Sequence, residues 1–249
     1  MELLNRIIMW SPNDLKWLKE NYPGLKQISD TTIEGRISYR ALRLKGEYFV
    51  NPSSEQIQST NSSGYLYLCD TYNVRIEWES KDSLYPTTYD IGGKISEVAR
   101  KSGKNPIDMH QFQNGSLCLA AITDLGVIFC AGFNLKVYVE EFLIPYLFAQ
   151  TYYGKKQKWL WGDLSHGVWG LLEWLGRKDK LDDIDIRSTY EMLKIFGGKE
   201  KMMEVLSVRC RNHKPCPCGL GKKTRNCHPD VQQGIARIRN AMSSGLIIG

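Results

Sequence analysis

Histidine is scarce in this chain, four residues among 249, so an imidazole base or ligand can only be His110, His166, His213 or His228. No apolar run approaches the ~18 residues that a membrane span needs. No stretch is of low complexity and no internal repeat is found, which excludes solenoid and array architectures. The opening MELLNRIIMW is too short and, with Asn5 and Arg6, too polar for a signal peptide, and no small-residue cleavage site follows. These absences predict a cytoplasmic chain with no membrane partner and with reduced thiols. Seven cysteines, an odd number without a secretory signal, argue against a disulfide framework and for metal or thiol chemistry.

What is present suits one ordinary globular domain plus a smaller one, with 42% hydrophobic and 24% charged residues. The charge is lopsided. Residues 201–249 hold nine Lys/Arg against Glu204 and Asp230, a surplus of +7; the chain's net +6 leaves −1 for residues 1–200. Ser11, Pro12 and Asp14 predict a capped helix that Pro23-Gly24 stops. RISYRALRL, YLYLC (65–69) and NVRIEWE (73–79) read as strands, the last alternating Val74, Ile76 and Trp78 against Arg75, Glu77 and Glu79, with a short turn expected at Asp70–Tyr72. Short connections favour an antiparallel sheet. From Ser80 the pattern dissolves into a long irregular stretch that leads to Cys118, with at most one short helix or strand expected in it. Helices are expected over 135–153 with a kink at Pro145, over 162–176 from Asp163 or Ser165 to Gly176, and over 230–242, with a charged linker at 177–183 and a helical connector between.

The tail carries C-x-C-x8-C-H: Cys216, Cys218, Cys227 and His228. A structural zinc site needs four thiolate or imidazole ligands in a tetrahedron, and a polar segment of ~15 residues cannot form a core without such a staple. Cys210 and His213 read as spare. GLGKKT is not a phosphate loop, because no glycine stands five residues before Gly221. Residues 214–230 resemble the SEC-C motif, a short zinc-binding module. The resemblance implies structural Zn2+ on those four residues and a binding role, and the basic residues around it are consistent with contact with protein or nucleic acid and equally with a solvated basic face.

HQFQNGSLCLA (110–120) sets Cys118 in an apolar run directly behind an Asn-Gly-Ser turn. Read alone, it is a small core hydrophobe or a nucleophile presented by a loop. The order of antiparallel strands, a proline-bearing irregular segment, His110, NGSLCL (114–119) and then helices resembles ubiquitin-conjugating enzymes, in particular their divergent bacterial relatives, over residues 30–150. Two departures stand out: the interval from His110 to Cys118 is short, and Phe112 replaces the Asn that in the family helps to stabilise the oxyanion. Bacterial relatives often lack that Asn.

The resemblance implies an α+β, UBC-like antiparallel sheet flanked by helices over residues 1–176, a linker and helical connector over 177–208, and a small zinc-binding module with a terminal helix over 209–249. It implies a transferase that takes a protein C-terminus from an activating enzyme in trans, holds it as a thioester on Cys118 and passes it to an amine, with His110 and Asn114 in support. By resemblance the carrier is a ubiquitin-like protein or a cGAS-like nucleotidyltransferase C-terminus, in an antiphage operon of the CBASS type. Two other functions are consistent with the residues: a thiol hydrolase using Cys118 with His110 as base, and a non-catalytic binding module of the same fold. Cys69 and Cys130, in apolar runs without a turn, are expected to be core packing, and His166 a helix-start residue.

Overall fold

Ser11 caps helix α1 (Pro12–Asn21) as its sequence predicts: its hydroxyl accepts the Asp14 N–H at 3.0 Å while Asp14 Oδ2 accepts the Ser11 N–H at 3.2 Å. The other Asp14 oxygen accepts the Leu135 N–H at 3.1 Å, so one carboxylate closes a capping box and joins two elements distant in sequence. The computed structural model describes residues 9–44, 47–59, 65–120, 122–160, 167–207, 213–216 and 221–247. His166, Cys210, Cys218 and the expected helix start at Asp163 or Ser165 lie outside them.

After α1 come β1 (Leu25–Gln27), β2 (Thr32–Leu44), β3 (Glu47–Val50), α2 (Ser54–Ser59), β4 (Tyr65–Glu77), β5 (Thr87–Asp90) and α3 (Lys94–Lys101). A 3-10 turn (Pro106–Met109), α4 (Ile122–Phe129), α5 (Leu135–Val137), a π turn (Tyr138–Leu143) and α6 (Ile144–Lys156) follow. The chain ends with α7 (Gly167–Arg177), α8 (Asp183–Ser207), α9 (Thr224–Cys227) and α10 (Val231–Ser243). The architecture is α+β. A five-stranded antiparallel sheet runs β1-β2-β4-β5, with β3 pairing the far end of β2, and helices flank it.

Contacts divide the chain into two units, residues 1–120 with 124–161, and residues 162–249 with 121–123. In the first, the period-2 rule puts Ile33, Ile37, Tyr39, Ala41, Tyr72, Val74 and Ile76 on the inner face, where Leu143, Ile144, Leu147 and Phe148 complete the core. The turn expected at Asp70–Tyr72 does not form; β4 runs unbroken through it. The polar break is satisfied in place. Thr151 of α6 donates to Asp70 Oδ2 at 2.7 Å and receives Tyr39 at 2.8 Å, with the Tyr72 hydroxyl 3.0 Å away, and Lys94 pairs with the other Asp70 oxygen. A half-buried carboxylate with partners costs little; without them it would have forced the chain out to water. The stretch after Ser80 is more regular than expected, giving β5, α3 and the 3-10 turn. At Pro145, which has no N–H to give, the irregularity takes the form of the π turn immediately before it.

The same alternation overturns the packing expectation for two cysteines. Leu68 points inward, so Cys69 is exposed on the outer face opposite Arg40. Cys130 follows the buried Phe129 at the end of α4 and is exposed too.

The second unit has its own core of Leu171, Leu172, Leu175, Leu193, Met202, Val205, Ile235 and Ile238. Helix α7, which the sequence reading assigns to the first domain through residue 176, belongs here, and the expected connector is one 25-residue helix, α8, packed in this core. Gly176 does not end α7 as a cap; it lies inside the helix, where the Asp230 backbone comes against it. Two tail arginines serve as helix caps: Arg237 donates to the carbonyls of Leu175 and Lys178 (2.9 Å to the latter), and Arg239 Nε to that of Leu206 at 2.6 Å. No helix among the described residues is long and apolar enough to cross a membrane.

Candidate functional sites around Cys118 and Cys216

Asn114-Gly115 makes the turn that the sequence announces. Gly115 has φ +84°, and Asn114 Oδ1 accepts both the Ser116 N–H (3.1 Å) and the Ser116 hydroxyl (2.7 Å). The turn folds residues 110–118 into a narrow loop closed by Phe112 N–H to Ser116 O at 2.8 Å and by Cys118 N–H to His110 O at 2.8 Å. The Leu117 N–H reaches Thr88 O at 2.8 Å and Ser116 bridges Tyr89, so the cysteine-bearing strand is an added rung on β5. The structure thus brings Cys118 and His110 together through their backbones and makes Asn114 the turn former. The 3-10 turn before it has its own box, with Asp108 Oδ2 accepting the Asn105 N–H at 3.0 Å.

Cys118 is half-buried, and its Sγ lies 3.7 Å from the Ala120 carbonyl. Burial alone pushes the thiol up to about 11. The Tyr146 and Tyr85 hydroxyls, near enough to feel a charge on Cys118, are raised first by their own burial. A thiol–imidazolium pair would act in the opposite sense, lowering the thiol. The His110 ring packs edge-on against Trp159, with centroids 4.9 Å apart, and Trp159 packs on Tyr153 at 4.5 Å.

Alkylation supplies the first test. With its thiol near 11, Cys118 is about 0.03% thiolate at pH 7.4, against several per cent for an ordinary cysteine. Iodoacetamide labelling of Cys118, followed by peptide mass spectrometry, is expected to rise about tenfold per pH unit from pH 7 to 10 without levelling. A plateau below pH 9 refutes a thiol raised by partial burial.

The second site lies in the other unit. The Cys216 N–H bonds Lys222 O at 2.7 Å, Thr224 N–H bonds Lys214 O at 3.0 Å, and Pro215 bridges Lys223, so two short strands run antiparallel. Gly221, at φ +73°, helps to turn the chain back. One turn of α9 then delivers Cys227, and His228 follows with its N–H on Thr224 O at 2.8 Å. The ligand atoms of Cys216, Cys227 and His228 lie within 4.8 Å of one another, with Cys216 Sγ 3.1 Å from His228 Nδ1. Ligands of a tetrahedral zinc stand about 3.5–3.8 Å apart, so the group fits and could hold a metal ion. Cys216 and His228 are buried, Cys227 half-buried. Burial lowers the His228 pKa, with Glu173 opposing, which favours the neutral imidazole that ligates. Trp169 of α7 stacks on the His228 ring at 5.9 Å and 25°. Of the four expected ligands, three converge; Cys218 lies outside the described residues.

Gln150 has no role in the sequence reading, and Tyr146, Trp159 and Trp169 only that of core or of a groove for a partner. Gln150, an amide alone in the apolar run YLFAQTYY, was the one legible signal. The chain was compared with protein-family models, curated proteins and solved structures, and nothing matches it in any of the three.

Proposed function

We propose that this chain is a ubiquitin-conjugating-like transferase that carries an acyl group, the C-terminus of another polypeptide, as a thioester on Cys118. The observation that carries the reading is a partly accessible thiol at the outer edge of an antiparallel sheet, backbone-paired to His110 across an Asn-Gly turn. The order of elements, α1 and an antiparallel sheet, then the His110–Cys118 loop, then helices, supports the same reading. In the first step Cys118 Sγ attacks the carbonyl carbon of the donor thioester. A new C–S bond forms, the donor's C–S bond breaks, and the donor sulfur takes the proton that Cys118 gives up. In the second step an amine attacks the Cys118 thioester, a C–N bond forms, and the thiol of Cys118 is regenerated with one of the amine's protons. Thioester exchange is close to energy-neutral, so a thiol of low intrinsic reactivity is compatible with it once an activating partner is docked. The oxyanion of either step needs a donor. Asn114 Oδ1 is held by Ser116, so its Nδ2 or a nearby backbone N–H would fill the role that Phe112 cannot. A hydrolase is less well supported, because its thiol would be lowered by a neighbouring imidazolium rather than raised.

We also propose that Cys218 completes the Cys216, Cys227 and His228 group and that the ion is zinc in a structural role. Lys214, Lys222, Lys223 and Arg225 are exposed on or beside this hairpin and would face an acidic protein or nucleic-acid partner.

The test of the transferase uses a fluorescent peptide ending in a glycyl thioester of mercaptoethanesulfonate, mixed with a Cys69→Ser/Cys130→Ser background chain at pH 8 and run on a non-reducing gel. A thiol-reversible band is expected, absent in Cys118→Ala and converted to a thiol-stable amide in Cys118→Lys. An equal band in Cys118→Ala, or none at all, overturns the proposal, and the latter leaves the binding-module reading.

A further inference from the structure

Two side chains on α6, one turn apart, reach the same peptide segment. The Tyr146 hydroxyl lies 3.0 Å from the Met109 carbonyl and 3.3 Å from that of His110, and Gln150 Nε2 donates to Met109 O at 2.7 Å. Both side chains are buried. The carbonyls that they hold flank the point at which the chain leaves the 3-10 turn and passes through a left-handed residue, His110, at φ 54° and ψ 44°. A left-handed non-glycine residue is strained and persists only when its surroundings impose it. The His110 carbonyl, in turn, accepts the Cys118 N–H at 2.8 Å. A continuous line of bonds therefore runs from α6 through the His110 backbone to the backbone of Cys118. The next residue of α6, Thr151, is anchored to the sheet by Tyr39, Tyr72 and Asp70, so the helix that does the holding is itself fixed. Gln150 Oε1 is buried without a hydrogen-bond partner among the described residues. Leaving it so carries a desolvation cost, one that packing alone would remove by placing leucine there.

We infer that Tyr146 and Gln150 are positioning residues for Cys118, acting through the carbonyls of Met109 and His110 to hold the cysteine loop in register. The part of the test that measures acyl transfer rests on the reading of Cys118 as an acyl carrier; the alkylation part does not. Full-length Tyr146→Phe and Gln150→Leu are compared with Tyr39→Phe, which removes one of three bonds to Thr151 of the same helix, leaves those to Tyr72 and Asp70 in place, and lies out of reach of the loop. Release of the carbonyls lets the 110–118 loop open to water. Iodoacetamide labelling of Cys118 at pH 8 is then expected to rise at least fivefold in Tyr146→Phe and Gln150→Leu. Its pH profile should inflect at lower pH, and acceptance of the thioester peptide should fall at least fivefold. Tyr39→Phe should stay within twofold of the parent in labelling. Gln150→Leu, which also removes the orphan oxygen, keeps the test usable should Tyr146→Phe not fold. Labelling rates and pH profiles within twofold of the parent in both variants overturn the inference. A shifted profile in chains that accept no acyl group, the parent included, supports the positioning role and sinks the transferase instead.

Discussion

Cys216→Ser is expected to lower bound zinc from about one equivalent per chain to near none, by elemental analysis after dialysis, and to strip amide-exchange protection from residues 213–216 and 221–228. The effect is large because metal-binding free energy in such small modules is folding free energy, an apparent ~10–16 kcal/mol in zinc-finger peptides. Whole domains are stable by only ~5–15 kcal/mol. Among the described residues the hairpin of 213–216 and 221–224 has few other anchors: the two backbone bonds that make its one bridge, the Thr224 hydroxyl on the Lys214 carbonyl at 3.3 Å, and the buried Cys216 and Thr224. Loss of protection should stop short of the rest of the unit, since Leu172, Leu175, Leu193, Met202 and Ile238 form a core of their own. Residues 9–160, with a separate core, should exchange as before. Cys218→Ser is expected to give the same metal loss. Unchanged metal content in Cys216→Ser ends the zinc proposal, and equal loss of protection throughout both units ends the claim that the staple is local.

Gly234→Ala is expected to lower the melting temperature of the second unit by about 10 °C, the opposite sign from helix propensity. In an exposed helix interior, Ala is better than Gly by about 1 kcal/mol. Gly234, however, sits where α10 meets α7 backbone to backbone. A Cβ there would overlap the Leu172 carbonyl oxygen and come within 2.8 Å of its carbonyl carbon and 3.1 Å of its Cα. Gly176 makes the reciprocal approach to Asp230, with the carbonyl carbon 2.9 Å from a Cβ. Neither obstacle is a flexible side-chain end, so the helices must separate, breaking contacts among Leu172, Leu175, Ile235 and Ile238. Overpacking of this kind costs about 1–3 kcal/mol or more, which outweighs the propensity gain. At ~4–8 °C per kcal/mol for a unit of this size, the net loss gives the stated shift. A stabilised Gly234→Ala would show that the helices have room to part.

Where a signal is local, the fold was readable. The Ser11–Asp14 capping box, the alternation of Val74, Ile76 and Trp78, the Asn114-Gly115 turn and α10 all follow from residues within a few positions of one another. Asp70 misled, because a carboxylate in an apolar run reads as a turn. Its satisfaction depends on Lys94 and on Thr151, 81 residues away. At Gly176 the expected helix end falls within one residue of the observed one, but the glycine is explained by the approach of Asp230 rather than by a cap. Cys69 and Cys130 were drawn inward by apolar neighbours, whereas strand alternation and a helix end put them outside.

The sequence by itself determined which residues can do chemistry here: one cysteine behind an Asn-Gly turn, and a tail of closely spaced cysteines ending in histidine. Type and spacing are covalent facts and survive any folding. Tertiary structure alone decided how reactive and how firmly held these groups are. Burial that raises the Cys118 thiol, the grip of Tyr146 and Gln150 on the loop before it, and the convergence of Cys216 with Cys227 and His228 all depend on which distant atoms surround each group. Solvation and hydrogen bonding are set by spatial neighbours, and most of those neighbours are remote in the chain.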